Sequence, residues 1–382
     1  MLIRIYKKTM FFNSEVYDFN GVIENLRICI SSLKFSPGHY SHAIAYAKAI
    51  SEVGYDVFLL LNENYKKIDE KNGFERIWYS KKNKITEKCD LVIFLNASTI
   101  NHAVLRKLRT KGAKVIYLYH EPWDNFWVYL KTEGLKQVLR ASISHYFSVK
   151  ILRSSDLIIV PSKYALNIYE KYDKKFNENV INIPLLFEDE LTQKVDINNK
   201  KYFSYIGHAV KGHAFDKYLE FIKYLYRANV NVKFEIATKT NLNKVISKDK
   251  ILQSMIADGT LKISHGKPLK NQEINQAFEN SFCVWNLYRR STQSGVLPKA
   301  FMFGTPVLAA RIGSFPEYIK SGFNGEFVSK IDNFDEIYKK LKKIKDNLCN
   351  YSKNARYTFL NTFYYQANIP KLLDIIIKVD KK

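Results

Sequence analysis

The sequence predicts an α/β protein built from two Rossmann-like parallel-sheet domains in tandem. Three observations lead there. Apolar strand-like runs alternate with helix-like runs along most of the chain, the pattern of βαβ units in a parallel sheet. Helix-like runs end at glycines such as Gly54 and Gly112, which suit the left-handed turn past a helix end. The length, 382 residues, is that of two domains at roughly 100–200 residues each.

Residues 1–24 show no regular pattern and are set apart as an N-terminal extension. From Asn25 the pattern is regular: 26–31 reads as a buried strand, 34–38 as a loop, and 39–53 as a helix with Ala43, Ala47 and Ile50 on one side. Gly54 ends that helix and 56–61 is the next strand. The unit recurs, with a strand at 91–95, a helix at 103–110 closed by Gly112, and a strand at 115–119 running into His120, Glu121, Pro122 and Trp123. A strand at 157–160, a helix after Pro161 and Ser162, and a strand at 180–183 close the first half. The second half has strands at 202–206, 232–237, 261–264, 282–286 and 306–310, and helices at 215–227, 298–303 and 334–348. The last of these is apolar on one side and lysine-rich on the other. The predicted domains are 25–190 and 201–360, with a linker at 191–200 and a C-terminal helix in 361–382 that returns to the first domain. Ligands of parallel sheets bind beyond the carboxyl ends of the strands, so two such sheets are expected to face a cleft.

The composition narrows the partners. A formal charge of +23 points to nucleic acid, an acidic membrane face or a phosphorylated substrate. The basic residues are 48 Lys and only 12 Arg, and Arg is the preferred fork for phosphates and base edges. That weighs against nucleic acid. Four cysteines, Cys29, Cys89, Cys283 and Cys349, lie far apart without a CxxC pair, so neither a disulfide framework nor a zinc ribbon is expected, and a reducing compartment fits. No apolar run reaches the ~18 residues of a membrane span. A cytoplasmic protein follows, peripheral on the inner face of the plasma membrane if its basic surface meets lipid.

The most informative segment runs from Tyr288 to Gly325. A polar loop holding Gln293, Ser294 and Gly295 precedes a helix, behind Arg289 and Arg290. Two readings stand. The helix start and the arginines form an anion site, or the segment is a capped helix between strands with two surface arginines.

The spacing of Gly304, Thr305, Pro306 and Val307, of Gly313, of Pro316 and Glu317, and of Gly322 to Gly325 resembles the retaining group 1 glycosyltransferases of the GT-B fold (glycosyltransferase family 4-like), in particular those of bacterial surface-polysaccharide synthesis. The resemblance extends over nearly the whole chain from Asn25. It implies a glycosyl transfer from a nucleoside-diphosphate sugar to an acceptor hydroxyl of a glycan or lipid-linked glycan, with no separate cofactor. Gly38 matches the family's glycine-rich loop after the first strand, and Gly207 with Lys211 and Gly212 the loop whose lysine meets the donor diphosphate. His120 matches a histidine that contacts the donor sugar or the reacting centre. The stretch His265, Gly266, Lys267 and Pro268 matches the loop near the base. The implied catalytic residues are His120, Lys211 and Arg290. Donor-binding residues are Gly38, Gly207, His208, Gly266, Lys267, Gln293, Ser294, Gly295 and Lys299.

The departures are specific. The family's two glutamates, eight positions apart, are Ser291 and Lys299 here, and its arginine after the glycine is His208, leaving Arg290 to supply the cation. A sugar-nucleotide epimerase of the same fold and a catalytically inactive scaffold are therefore the alternatives. His120 has a packing role as its own alternative, and Glu121 reads better as a polar rim than as an acid/base. His39 and His42 have a metal-like i, i+3 spacing but no acidic or Cys partner nearby, so no metal is expected.

Overall fold

The computed structural model describes residues 9–12, 15–18, 26–69, 73–80, 87–124, 126–291 and 293–381. Of the N-terminal extension it describes an antiparallel pair, β1 (Thr9–Phe12) and β2 (Glu15–Asp18); the rest of 1–24 lies outside the described residues.

The chain divides into two compact units. One comprises the described residues up to Asp124, then Leu139–Glu188 and the chain from Thr362 onward; the other comprises residues 126–138 and Asp189–Asn361. The first unit is built on β3 (Arg27–Ser32), β4 (Asp56–Asn62), β5 (Glu75–Tyr79), β6 (Leu91–Phe94), β7 (Lys114–Leu118), β8 (Leu157–Val160) and β9 (Val180–Asn182). Their order is β5-β4-β3-β6-β7-β8-β9, every pair parallel. Helices α1 (Pro37–Glu52), α2 (Thr99–Arg109), α4 (Leu135–Leu152) and α5 (Lys163–Tyr172) follow these strands in the chain, while α3 (Phe126–Glu133) and the start of α4 are assigned to the other unit. The inner strands are apolar on both faces: Leu91 to Phe94 and Leu157 to Val160 are buried throughout, as a sheet covered on both sides requires.

The second unit has β10 (Tyr202–Ile206), β11 (Lys233–Ala237), β12 (Leu261–Ser264), β13 (Ser281–Asn286), β14 (Val307–Ala310) and β15 (Gly325–Val328), ordered β12-β11-β10-β13-β14-β15 and all parallel. Its helices are α6 (Phe215–Arg227), α7 (Asn243–Ile246), α8 (Lys250–Ala257), α9 (Asn271–Glu279), α10 (Val296–Met302), α11 (Phe315–Tyr318), α12 (Phe334–Asp346) and α13 (Leu348–Thr362). Phe203, Tyr218, Phe221, Phe234 and Trp285 pack around one another in its core. Each such aromatic withdraws surface worth roughly 1.5–3 kcal/mol.

The last helix, α14 (Ile369–Asp380), belongs to the first unit. Leu372, Leu373 and Ile376 are buried there, and Tyr365 donates to Glu52 at the end of α1. The helix predicted over 334–348 stops at Asp346, and Leu348 opens the separate helix α13.

In each sheet the strand order reverses at one place, between β3 and β6 and between β10 and β13. Loops leaving those strands at their carboxyl ends diverge to opposite sides and leave a crevice. The loops after β10 and β13 carry Gly207, His208, Lys211, Arg290 and Gln293 to Gly295.

Candidate functional site

In the second unit, the loop after β10 is shaped by Gly207, whose φ of +125° is outside the range L side chains favour. A Cβ there would lie 3.3 Å from the Val296 side chain, so the glycine also lets the start of α10 approach. Tyr205, buried under the loop, donates to the His208 carbonyl at 2.6 Å. His208 is exposed, its pKa lowered by partial burial and by Lys239. Lys211 is exposed at the end of this loop, and Gly212 beside it is buried.

The loop after β13 clamps the first one. Arg289 N–H donates to the Gly212 carbonyl at 2.8 Å, and its guanidinium donates to the Lys211 carbonyl at 2.5 Å. The same guanidinium forks onto Asp216, at 2.7 Å to each oxygen. Tyr288 stacks on His213 at 4.2 Å. Arg289 is therefore a structural fork and not the surface cation that the sequence left open. Arg290 is half-buried, with Nε and Nη2 shielded from solvent. Ser291, at the first glutamate position, is buried against Gly313: a Cβ on Gly313, φ +53°, would lie 1.5 Å from the Ser291 carbonyl oxygen. Gln293 Oε1 and Ser291 Oγ are buried acceptors with no hydrogen-bond partner in the described structure. Ser294 Oγ accepts from Val296 N–H at 3.2 Å, and Gly295 caps α10, which is only seven residues long.

Lys299, at the second glutamate position, does not stand alone. Its ammonium lies 3.1 Å from Glu190 and 2.8 Å from Asn271 Oδ1, and Glu190 also accepts from Asn271 and Asn275 at 2.6 and 2.8 Å. A carboxylate thus returns to this region, from the segment before β10. Gly266 (φ +84°) and exposed Lys267 follow β12, two strands from the β10–β13 crevice. A pocket of about 220 Å³ lies at the opposite, amino-terminal edge of the sheet, around Val195, Lys200, Glu279 and Phe303. Burial lowers Lys200 to about 7, yet its ammonium donates to the Ser281 and Phe303 carbonyls and to Thr305 Oγ1. That lysine ties strand ends together.

In the first unit, the His39 and His42 pair and His120, which the sequence treated apart from them, come together. His120 stacks on His39 with ring centres 4.6 Å apart and planes 7° from parallel, and His42 is 5.6 Å away. Asn96, on the loop after β6, lies 3.1 Å from His39 Nδ1 and donates to Ser32 Oγ and the Lys34 carbonyl. His42 Nδ1 sits 2.9 Å from the Leu186 carbonyl. Burial, then the neighbouring histidines, holds His120 well below its usual range, and burial lowers His39 to about 3. Both are neutral at pH 7. His120 Nε2 is buried with no hydrogen-bond partner in the described structure. Stacked rings do not converge their nitrogens, and among the described residues no group of three or more His, Cys, Asp or Glu is arranged to hold a metal. Gly38 is the second residue of α1, and a Cβ there would meet nothing within 4 Å; the fold itself does not require glycine at 38.

Beneath the loop that carries His120, Tyr119 OH lies 3.2 Å from His145 Nδ1 and accepts from Trp123 N–H at 3.1 Å, with Asp173 3.6 Å from His145 Nε2. Glu121 is exposed at the rim.

The paired parallel sheets with these crevices define a GT-B fold. No protein-family model and no curated protein matches the sequence. Solved structures do match in fold. Sucrose-phosphate synthase from Thermosynechococcus elongatus is similar with a TM-score of 0.67 at 12% identity, over 93% of this chain and 99% of that one. Anabaena Alr3699/HepE, solved with UDP and glucose, is similar at 0.65 and 13%, over 92% and 99%. An alpha-glucosyltransferase solved with UDP and a 13-mer DNA is similar at 0.67 and 13%, over 94% and 100%.

Proposed function

We propose that the protein is a glycosyltransferase that moves a sugar from a nucleoside-diphosphate sugar to an acceptor hydroxyl, with retention, in the assembly of a bacterial surface polysaccharide. The observation that carries the reading is the loop pair at the β10–β13 crevice: a glycine-shaped loop ending in an exposed lysine, clamped to a loop with a second cation. The likeness in fold to structures solved with UDP supports it.

When the glycosidic bond breaks, negative charge builds on the departing diphosphate. Lys211 and Arg290 stabilise that charge, and fixed cations lower a barrier most where charge develops. The leaving phosphate takes the acceptor's proton, so no carboxylate base is required. His120, neutral and with its Nε2 unsatisfied by protein, hydrogen-bonds a hydroxyl of the donor sugar. Lys299 acts by holding Glu190, and Gly266 and Lys267 line the approach to the base. The nucleotide-sugar is the only small molecule the reaction needs, and the acceptor is a glycan or lipid-linked glycan on the cytoplasmic side of the plasma membrane.

A second reading is favoured by Ser291 and Lys299 standing where the related family has acids: an inactive scaffold that keeps the fold. Incubation with radiolabelled UDP-, GDP- and dTDP-sugars and a panel of glycan, lipid-linked and oligonucleotide acceptors separates the readings. Transfer to a glycan supports the proposal. Transfer to an oligonucleotide overturns the acceptor class, and nucleotide-sugar binding without hydrolysis or transfer supports the scaffold.

A further inference from the structure

Half of the large apolar side chains exposed among the described residues fall within residues 126–146. On α4, Leu135, Leu139, Ile143 and Tyr146 are 60%, 58%, 62% and 58% exposed. At about 100° per residue these four fall within an arc of about 80° on one side of the helix. The buried residues Val138, Ser148, Ile151 and Leu152 fall outside that arc. In the chain just before α4, Trp127 of α3 is 71% exposed. Burial on this scale is normally achieved in folding, and an exposed apolar stripe of this kind marks an interaction surface.

The charges beside the stripe identify what it meets. Lys136, Arg140, Lys150 and Arg153 lie along or beside the apolar arc, Lys150 stacked over Tyr146 at 4.5 Å, and there is no Asp or Glu from Gly134 to Ser155. An apolar stripe with a basic rim fits a helix lying in a lipid interface, its side chains among the acyl chains and its cations at anionic headgroups. A second copy fits poorly, because a symmetric contact would set two basic rims against each other. The other basic helix, α12, is engaged: Lys340 and Lys343 reach the buried Glu326 at 3.0 and 2.6 Å, and Asp335 and Glu336 share the helix.

We infer that α4 is a docking surface for an anionic lipid bilayer, with Leu135, Leu139, Ile143 and Tyr146 entering the interface. The inference goes beyond the transfer reaction and is independent of which donor is used. The test is co-sedimentation of the full chain with vesicles of phosphatidylcholine alone and of phosphatidylcholine mixed with phosphatidylglycerol. The wild type should sediment with the mixed vesicles only, and brominated phosphatidylcholine in the mixture should quench its tryptophan emission. The L139S/I143S/Y146S variant should bind at least about tenfold more weakly at an unchanged unfolding temperature, and K136S/R140S should also lose about tenfold. Absence of wild-type binding or of quenching overturns the inference, as does undiminished binding by L139S/I143S/Y146S. A wild-type dimer that L139S/I143S/Y146S turns into a monomer assigns the stripe to a second copy instead and also overturns it. If that variant does not fold, quenching in the wild type and the K136S/R140S result decide the matter.

Discussion

Arg289 holds Asp216 through both terminal guanidinium nitrogens, each at 2.7 Å, and the same fork donates to the backbone carbonyl of Lys211 at 2.5 Å. One side chain thus fixes the loop on which the proposed diphosphate cation stands. Asp216 is held below the ordinary carboxylate range, first by its hydrogen bond to Arg289. The planar fork is what a lysine cannot reproduce. Arg289→Lys should therefore lower kcat by about 10–100-fold with a smaller change in KM for the donor, since misplacing a catalytic group by about 1 Å can cost ~10². Steady-state kinetics at saturating acceptor check this. Equal rates would show that the loop is held without Arg289.

Gly313→Ala should be among the most damaging small substitutions in the second unit. Its Cβ would overlap the Ser291 carbonyl oxygen at 1.5 Å, from a backbone with φ +53°. Neither atom is the end of a flexible side chain, so the two segments must separate, at a cost of about 2 kcal/mol or more. Urea unfolding of wild type and variant measures it, and an unchanged midpoint would contradict the packing described.

Lys299 and Glu190 should behave as a unit. Their 3.1 Å pair is largely shielded, with side chains 13% and 17% exposed. Removing one partner of such a pair costs more than removing both, because the survivor is left buried and charged. In a double-mutant cycle, Lys299→Met with Glu190→Gln should be less destabilising than the sum of the single changes by about 1 kcal/mol or more. Additive effects would show that the two do not interact. Turnover should fall far less in Lys299→Met than in Lys211→Ala.

The neutral histidines predict a stability that declines with acid. His39 is lowered to about 3 and His120 well below its usual value, both chiefly by burial, while in the unfolded chain each titrates near 6.5. Below that pH the unfolded state binds two protons that the native state refuses, so stability present above about pH 6.5 is lost as pH falls, by about 3 kcal/mol per unit. Asp173, raised to about 6 by burial, acts in the opposite sense: its stabilising contribution is present at low pH and is lost as pH rises through about 6. It offsets His145, lowered to about 4. Urea unfolding at pH 7 and pH 5 should show the net loss, and equal stability at both would contradict the buried cluster.

The tandem parallel sheets were legible because their inner strands are unbroken apolar runs punctuated by glycines, as at Leu157 to Val160 and at Gly54. Strand β5 was not, because Glu75 and Arg76 make it read as an exposed segment. Helices α8, α9 and α13 were missed, the last because polar residues interrupt its apolar side from Leu348 to Thr362. Individual loop residues could be placed from spacing, but not their partners. Nothing in the chain near Arg289 announces Asp216, 73 residues away, nor does Lys299 announce Glu190, 109 away. The histidine cluster joins α1 to the loop after β7, a juxtaposition set by strand order, which local periodicity does not encode. The apolar stripe of α4 became visible only once the buried side of the helix was known.

The most direct test of the central claim, a diphosphate site at the β10–β13 crevice, is titration calorimetry of UDP, GDP and dTDP into the wild type, Lys211→Ala and Arg290→Ala. The wild type should bind at least one of the three. Both variants should bind it more weakly while keeping the wild-type unfolding temperature, and in the transfer assay each should lose about 10²–10³ in turnover. A wild type that binds none of the nucleotides, or variants that bind and turn over as the wild type does, would contradict the account.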